Sequence, residues 1–525
     1  MPKVLISDEL SETAVNIFKE RGLDVTYEPK LGKDKDKLLS IIGLYDGLAV
    51  RSATKATAPV IAAGKKLKVI GRAGIGVDNI DIPAATAAGV VVMNTPYGNA
   101  ITTAEHAIAL MFAAARQIPQ ASQSTHAGKW EKSRFMGVEL YGKTLGVIGC
   151  GNIGGIVADR AVALKMRVIA FDPYLTDARA LELGVEKVEL DALLARADII
   201  TLHTPLTEQT KNILSAKALA KTKKGVIIVN CARGGLVDEA ALKAGLDTGH
   251  IASAALDVFA TEPATEHLLF GHERVVATPH LGASTNEAQE NVAIQIAEQM
   301  ADYLTRGAVT NALNMPSITA EEAPRLKPFI ALAENLGRFA GQLTETSVKA
   351  IEVVYAGGVA KLNTRPMTAA AVAGVLRPML AEVNIVNAPL IAKERGIAIA
   401  ETYRDDAENF ESVIRLRIVT ERQDRTVSGA LFGQTPRIVE IKGVEMEASF
   451  APHMLYVTNA DKPGFIGALG QTLGAANVNI ATFNLGRSAP GADAIALLAV
   501  DEPVTDATLE KVRGLPHVKQ AKSLK

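Results

Sequence analysis

Short apolar runs alternate with stretches whose apolar residues recur at helical spacing, from the N-terminus to about residue 310. This cadence predicts strand–helix–strand units, and hence parallel sheets with helices on their faces. In the first part the runs are Val4–Ile6, VTYE, GLAVRS, LKVIGRAG and VVVMNTP, with a capped helix start at Ser7 or Ser11. Ala100 to Ala121 is rich in alanine and other helix formers and predicts one long linking helix. Four further runs end abruptly in polar residues: Asp198–Pro205, Gly225–Asp238, Ala252–Pro263 and Arg274–Ser284. Glu287 to Leu304 then places Val292, Ile296 and Met300 on one helical face. Gly307 to Pro324 is polar and carries proline, as linkers do, and the segment from there to about 450 mixes both periods. From His453 onward the order is strand, helix, strand, strand, helix, strand, a split βαβ pattern.

The most informative stretch is Thr144 to Pro173. An apolar run, Leu145–Ile148, breaks into Gly149-Cys150-Gly151-Asn152-Ile153-Gly154; a helical face follows, then a second run, Val168–Phe171, that ends in Asp172. Strand, glycine turn, helix, strand and acid is the context a dinucleotide fingerprint requires. Gly149 permits the tight turn, Gly151 lets backbone approach a pyrophosphate, and Gly154 lets helix and strand pack closely. The helix N-terminus offers free N–H groups to the same pyrophosphate. Asp172 is placed to bind a ribose diol and would repel a 2′-phosphate, which points to NAD. GRAGIG, at Gly71–Gly76, has the wrong spacing for a second fingerprint.

Composition excludes several classes. Lys and Arg (56) balance Asp and Glu (57), and no long basic run exists, so nucleic acid is not an expected partner. No apolar run approaches the roughly 20 residues of a membrane span, and MPKVLISDELSE lacks the apolar core of a signal peptide. Two cysteines, Cys150 and Cys231, frame no disulfide scaffold, and the scattered histidines offer no metal-ligand spacing. A cytoplasmic protein without a metal is the expectation.

Chemistry gathers where apolar runs end. Arg51 and Arg72 each follow such a run and point at a substrate site at the carboxyl ends of strands; plain solvation accounts for them as well from position alone. Arg233, Glu262 and His280 fit the oxidation of a 2-hydroxy acid. An imidazole takes the hydroxyl proton, a carboxylate fixes its tautomer, and a guanidinium fork grips the substrate carboxylate. By residue type alone, His280 also fits a structural histidine after a proline, Glu262 a turn residue before Pro263, and Arg233 a surface ion pair.

VIGCGNIG with Asp172, ARGGLVDEAAL, DVFATEP and TPHLGAST together resemble the D-2-hydroxyacid dehydrogenase superfamily over residues 1 to 310. GRAGIGVDNID, MNTPYGNA and GKWEKSRFMGVELYGKTLGVIG are similar to its D-3-phosphoglycerate dehydrogenase family, in the long form that ends in an ACT module. The resemblance implies an α/β fold with two Rossmann-like domains. A discontinuous substrate-binding domain (1–96 and 287–306) and an NAD-binding domain (97–286) precede an α+β intervening regulatory domain (315–450) and a βαββαβ ACT regulatory domain (453–525). It implies NAD-dependent oxidation of 3-phospho-D-glycerate to 3-phosphonooxypyruvate, the first step of L-serine synthesis, in a homodimer or homotetramer. Carried over residue by residue, it makes His280 the general acid–base, Glu262 its partner and Arg233 the carboxylate anchor. Arg51, Ser52, Arg72 and Gly74 become substrate contacts, with Arg134 lent by a neighbouring subunit. Asn152, Ile153, Asp172, Thr204, Cys231, Ala232, Asp257, Gly282 and Ala283 become NAD contacts, and Asn459, Asp461 and Asn479 the contacts of L-serine as effector. Ile75 departs from the threonine that several relatives carry near the nicotinamide, so the resemblance supplies no hydrogen bond there. Two rivals stay open: a different 2-hydroxy acid as substrate, and a non-catalytic NAD sensor of the corepressor type.

Overall fold

A computed structural model describes residues 1–525. The first sheet is built from β1 (Lys3–Ile6), β2 (Asp24–Tyr27), β3 (Gly47–Val50), β4 (Val69–Arg72) and β5 (Val91–Met93), in the order β2-β1-β3-β4-β5. All of its pairings are parallel. Of the two capping serines anticipated, Ser11 caps the helix Glu12–Glu20 by accepting from the Ala14 N–H. Ser7 is instead buried against Thr54.

The second sheet contains β6 (Thr144–Ile148), β7 (Arg167–Phe171), β8 (Glu186–Lys187), β9 (Ile199–Leu202), β10 (Val226–Asn230), β11 (Ile251–Leu256) and β12 (Val275–Ala277). Its order, β12-β11-β10-β9-β6-β7-β8, reverses direction between β6 and β9. That switch point opens a crevice at the strands' carboxyl ends, where ligands of doubly wound sheets bind. β6, β9 and β10 are buried throughout apart from Thr144, as expected for strands covered on both faces.

The single linking helix expected over residues 100–121 is in fact two, Ala100–Arg116 and Ile118–His126, hinged at Gln117 with φ 54°. Pro119 is the cause. Its ring lacks an N–H and clashes with the carbonyl four residues back, so it opens a helix and cannot continue one. That carbonyl, Ala115 O, accepts the Val138 N–H at 2.9 Å.

The chain returns to the first sheet through the helix Asn286–Arg306, whose Val292, Ile296 and Met300 are buried against it. Burying side chains of this size stabilises by about 1.5–3 kcal/mol each. Residues beyond this helix still belong to the first lobe's edge, because Asn314 Oδ1 accepts the Val92 N–H and Met93 bridges Ala312.

A third sheet follows: β13 (Val348–Gly357), β14 (Ala398–Arg404), β15 (Ser412–Thr420), β16 (Asp424–Phe432), β17 (Thr435–Ile441) and β18 (Val444–Ser449), ordered β14-β13-β15-β16-β17-β18. Only the β13–β14 pair is parallel; two long helices, Ala323–Leu343 and Arg365–Leu376, cross tightly beside the sheet. The last sheet takes β19 (Met454–Ala460), β20 (Ile480–Arg487), β21 (Asp493–Val500) and β22 (Val518–Leu524) in the antiparallel order β20-β21-β19-β22, with helices Phe465–Ala475 and Asp506–Arg513. One continuous core of 58 buried residues joins the first sheet, the segment of helices and third sheet, and part of the last. No helix is long and apolar enough to cross a membrane.

Candidate active site

At the switch point the three glycines of the turn have separable jobs. Gly149 sits at φ +89°, where a Cβ would lie 2.8 Å from His203 O and 2.7 Å from Thr204 Cγ2. At Gly154 a Cβ would lie 1.9 Å from Gly149 O, so the helix Asn152–Ala163 presses directly on the turn. A Cβ at Gly151 would meet nothing within 4 Å. The backbone there faces open space, as a pyrophosphate cradle requires. Asp172 closes β7, its carboxylate fixed by the N–H groups of Cys150 and Tyr174, each at 2.8 Å. A groove of about 880 Å³ runs past Gly151, Asn152, Asp172, Tyr174 and Arg179. Asn152 Nδ2 reaches across to Pro96 O at 3.2 Å, and Ile153 packs on the core beneath. Thr204 keeps a buried hydroxyl with no partner in the chain. An open cradle, an oriented acid and an unanswered hydroxyl fit NAD. Cys231 is buried behind them, and Ala232 donates its N–H to Asn230 Oδ1.

Between the two lobes lies a cleft of about 670 Å³. One wall carries Arg51, Ser52, Arg72 and Gly74 from the first sheet's strand ends; the other carries Glu262, His280 and Ala283. Phe259 and Phe270 form an apolar part of its surface, their rings edge to face at 5.3 Å. His280 adopts φ +57° and bonds Glu262 Oε2 through Nδ1 at 2.6 Å, leaving Nε2 as its free nitrogen. The bond to Glu262 raises His280 above its usual pKa, against the pull of burial. Burial works to raise Glu262, but bonds from His280 and the Phe259 N–H outweigh it and hold the carboxyl below its usual range. Arg72 is pushed down to about 10 by burial, with Arg233 adding to the effect, and its Nε has no partner. Arg233 donates from Nε to Asp78 at 2.8 Å and from Nη1 to Ala232 O at 2.7 Å.

Three residues escaped the sequence reading: Asp8, His106 and Asn99. Asp8 accepts the N–H groups of Arg51 and Thr54 and the Thr54 hydroxyl, so it holds the turn that presents Arg51 and Ser52. Its signal was available, since an acid stands two residues past the first apolar run. Asp257, read as an NAD contact, is fully buried; its oxygens accept from Thr278 Oγ1 (2.6 Å), Leu281 N–H (2.7 Å) and Gly282 N–H (2.8 Å), fastening the turn that carries His280. His106 braces Asp257 at 3.2 Å from the linking helix, and only folding reveals that. Asn99 lines the cleft with a buried Oδ1 that has no partner.

The remaining residues lie elsewhere. Arg134 is exposed and pairs with Glu131 and Glu273 rather than facing its own chain's cleft. In the terminal unit Asn459 is buried and donates to Ala460 O; Asp461 accepts from Arg487 (2.6 Å) and the Gly491 N–H (3.0 Å). Asn479 donates to Asp501 at 2.6 Å, and no hydrogen bond joins the three within one chain.

Residues 108–282 match the family model described as D-isomer specific 2-hydroxyacid dehydrogenase, NAD binding domain. Residues 325–442 match a D-3-phosphoglycerate dehydrogenase intervening domain, and 453–517 an ACT domain. The chain is 42% identical to a D-3-phosphoglycerate dehydrogenase of Synechocystis sp., over 100% of this chain and 95% of that protein. With its counterpart in Archaeoglobus fulgidus it shares 43% identity over 98% of both chains. A solved glyoxylate reductase from Paecilomyes thermophila superposes with TM-score 0.56 at 33% identity, covering 59% of this chain and 98% of that one. The apo-structure of Escherichia coli D-lactate dehydrogenase gives 0.52 at 30% identity, covering 60% of this chain and all of that one.

Proposed function

The chain belongs to the D-3-phosphoglycerate dehydrogenase family and is an NAD-dependent dehydrogenase, and we propose that its own reaction is oxidation of 3-phospho-D-glycerate to 3-phosphonooxypyruvate. One observation carries the reading: the His280–Glu262 pair shares its cleft with Arg51, Ser52 and Arg72. His280 Nε2 accepts the proton of the C2 hydroxyl as the C2–H bond breaks and the C2–O bond becomes a carbonyl. Glu262 keeps Nδ1 protonated and stabilises the imidazolium that forms. Arg233 binds the carboxylate and Arg51 and Arg72 the phosphate, two anions at opposite ends of a three-carbon acid. When bound along the Gly149–Gly154 turn, NAD supplies the hydride acceptor. The apolar face of Phe259 and Phe270 limits water near the reacting carbon.

A substrate panel tests this. The expected result is a kcat/KM for 3-phospho-D-glycerate at least about a hundredfold above that for D-glycerate, because the cleft's Arg51 and Arg72 gain a phosphate partner only from the longer acid. Comparable turnover of both acids would assign the cleft to another 2-hydroxy acid. L-serine is the proposed effector, supported by the terminal ACT domain and by the unsatisfied buried Oδ1 of Asn459; an unchanged rate in millimolar-range serine removes that proposal. The working unit is a cytoplasmic homodimer or homotetramer. In support, Trp130, Met136 and Tyr141, which flank Arg134, are 86%, 78% and 75% exposed.

The pair also sets a pH dependence. Oxidation needs neutral His280, and Glu262 raises that group's pKa. The rate should therefore fall as pH drops through a value above the ordinary 6.5 of histidine. Removing the carboxylate charge in Glu262→Gln lowers the pKa, so the acid limb moves to lower pH while kcat falls roughly a hundredfold. A limb that stays in place in that variant would detach the profile from this pair.

A further inference from the structure

Arg233 stands at the carboxyl end of β10 in the second lobe, while its carboxylate partner belongs to the first. Asp78 follows β4, on the loop that begins after Arg72 and carries Gly74, and its Oδ2 accepts from Arg233 Nε at 2.8 Å. On the other side Nη1 donates to Ala232 O. The loop backbone lies under the same fork, since a Cβ at Gly76 would fall 1.6 Å from Nη2. A guanidinium on a flexible stem is thus gripped at two of its five donors, one grip from each lobe, with the rest left free for a ligand. Asp78 is itself 68% exposed, whereas Arg233 is 29% exposed. The carboxylate contributes little to a buried core, so stability does not account for its place.

We propose that Asp78 is a positioning residue: it orients Arg233 across the interlobe cleft, so that the carboxylate anchor is complete only when the two lobes are together. This rests on Arg233 binding the substrate carboxylate, as proposed above. A fork held through Nε keeps its plane fixed, and two parallel N–H···O bonds to a planar carboxylate demand that plane. Released, the guanidinium turns about its stem and meets the ligand with one bond at a time. Loss of Asp78 therefore weakens binding at the carboxylate end and leaves the phosphate end and the nucleotide crevice alone.

The test compares full-length Asp78→Ala and Asp78→Glu with the unaltered protein. Asp78→Ala is expected to raise KM for 3-phospho-D-glycerate about tenfold, with a smaller change in kcat. The inhibition constant of oxamate, a carboxylate probe without phosphate, should rise by the same factor. NADH affinity by fluorescence should not change, and inhibition by inorganic phosphate should not weaken. Asp78→Glu, which keeps the acceptor, should bring KM and oxamate binding back toward the unaltered values. An unchanged KM in Asp78→Ala overturns the proposal, as does a parallel loss of oxamate, phosphate and NADH affinity, which would mark a general structural defect. Should the unaltered protein not oxidise 3-phospho-D-glycerate, the functional reading fails by itself, and oxamate binding to the NADH complex still decides the role of Asp78.

Discussion

Replacing His280 with alanine is expected to lower turnover of 3-phospho-D-glycerate by about a thousandfold, within the range a positioned acid–base group supplies. Nothing else in the cleft is placed to take over. Two other histidines of the second lobe, His106 and His203, are already committed. His106 is committed to Asp257 and Thr278, and His203 bonds Thr201 and is pushed down to about 4 by its partial burial. Glu262 would remain in His280→Ala, but its bond partner is gone and its carboxylate sits behind the lost ring. Fold and cofactor affinity should survive, because the 278–282 turn is fastened by Asp257 to main-chain groups and Thr278 rather than by the imidazole. Steady-state kinetics and NADH fluorescence on the same sample make the check. A variant within tenfold of the unaltered rate would remove His280 from the chemistry.

A comparable loss, of a different kind, is expected from Gly154→Val. A first side-chain carbon there would fall 1.9 Å from Gly149 O, a backbone atom with no freedom to swing aside. The helix Asn152–Ala163 must then lift off the turn, carrying away the N–H groups that face the pyrophosphate. NADH affinity should drop more than about a hundredfold, equivalent to roughly 2.7 kcal/mol or more, and Tm should fall with it. Gly151→Ala separates the two effects. Its methyl group meets nothing within 4 Å, so Tm should hold, but the methyl projects into the space the cofactor's phosphates take. Loss of NADH binding at constant Tm is the expected outcome, measured by thermal unfolding and fluorescence titration. Undiminished NADH affinity in Gly151→Ala would mean that the turn is a packing device alone.

The nucleotide turn was legible in the sequence because its rules are local. Gly149, Gly151 and Gly154 are spaced by backbone sterics and helix pitch, and Asp172 follows at one strand length from the helix it must face. Alternating runs foretold strands and helices for the same reason, since burial on both faces writes itself into short stretches. The misread linking helix shows where composition misleads. Alanine content favoured one element from 100 to 121, yet Pro119 removes a donor and blocks a carbonyl, and one residue outweighed many.

Partnership was another matter. His280 and Glu262 stand 18 positions apart, Arg233 and Asp78 stand 155 apart, and His106 meets Thr278 across 172. Residue type nominated some of these groups, but whether His280 was structural, Glu262 a turn residue or Arg233 a surface pair stayed open along the chain. By itself the sequence determined which groups exist and which strand ends they occupy. Tertiary structure alone decided which of them share a cleft, because two sheets with separate hydrophobic cores must first be laid side by side. Only then do charges distant along the chain come within the few ångströms at which a hydrogen bond fixes a tautomer or the plane of a guanidinium.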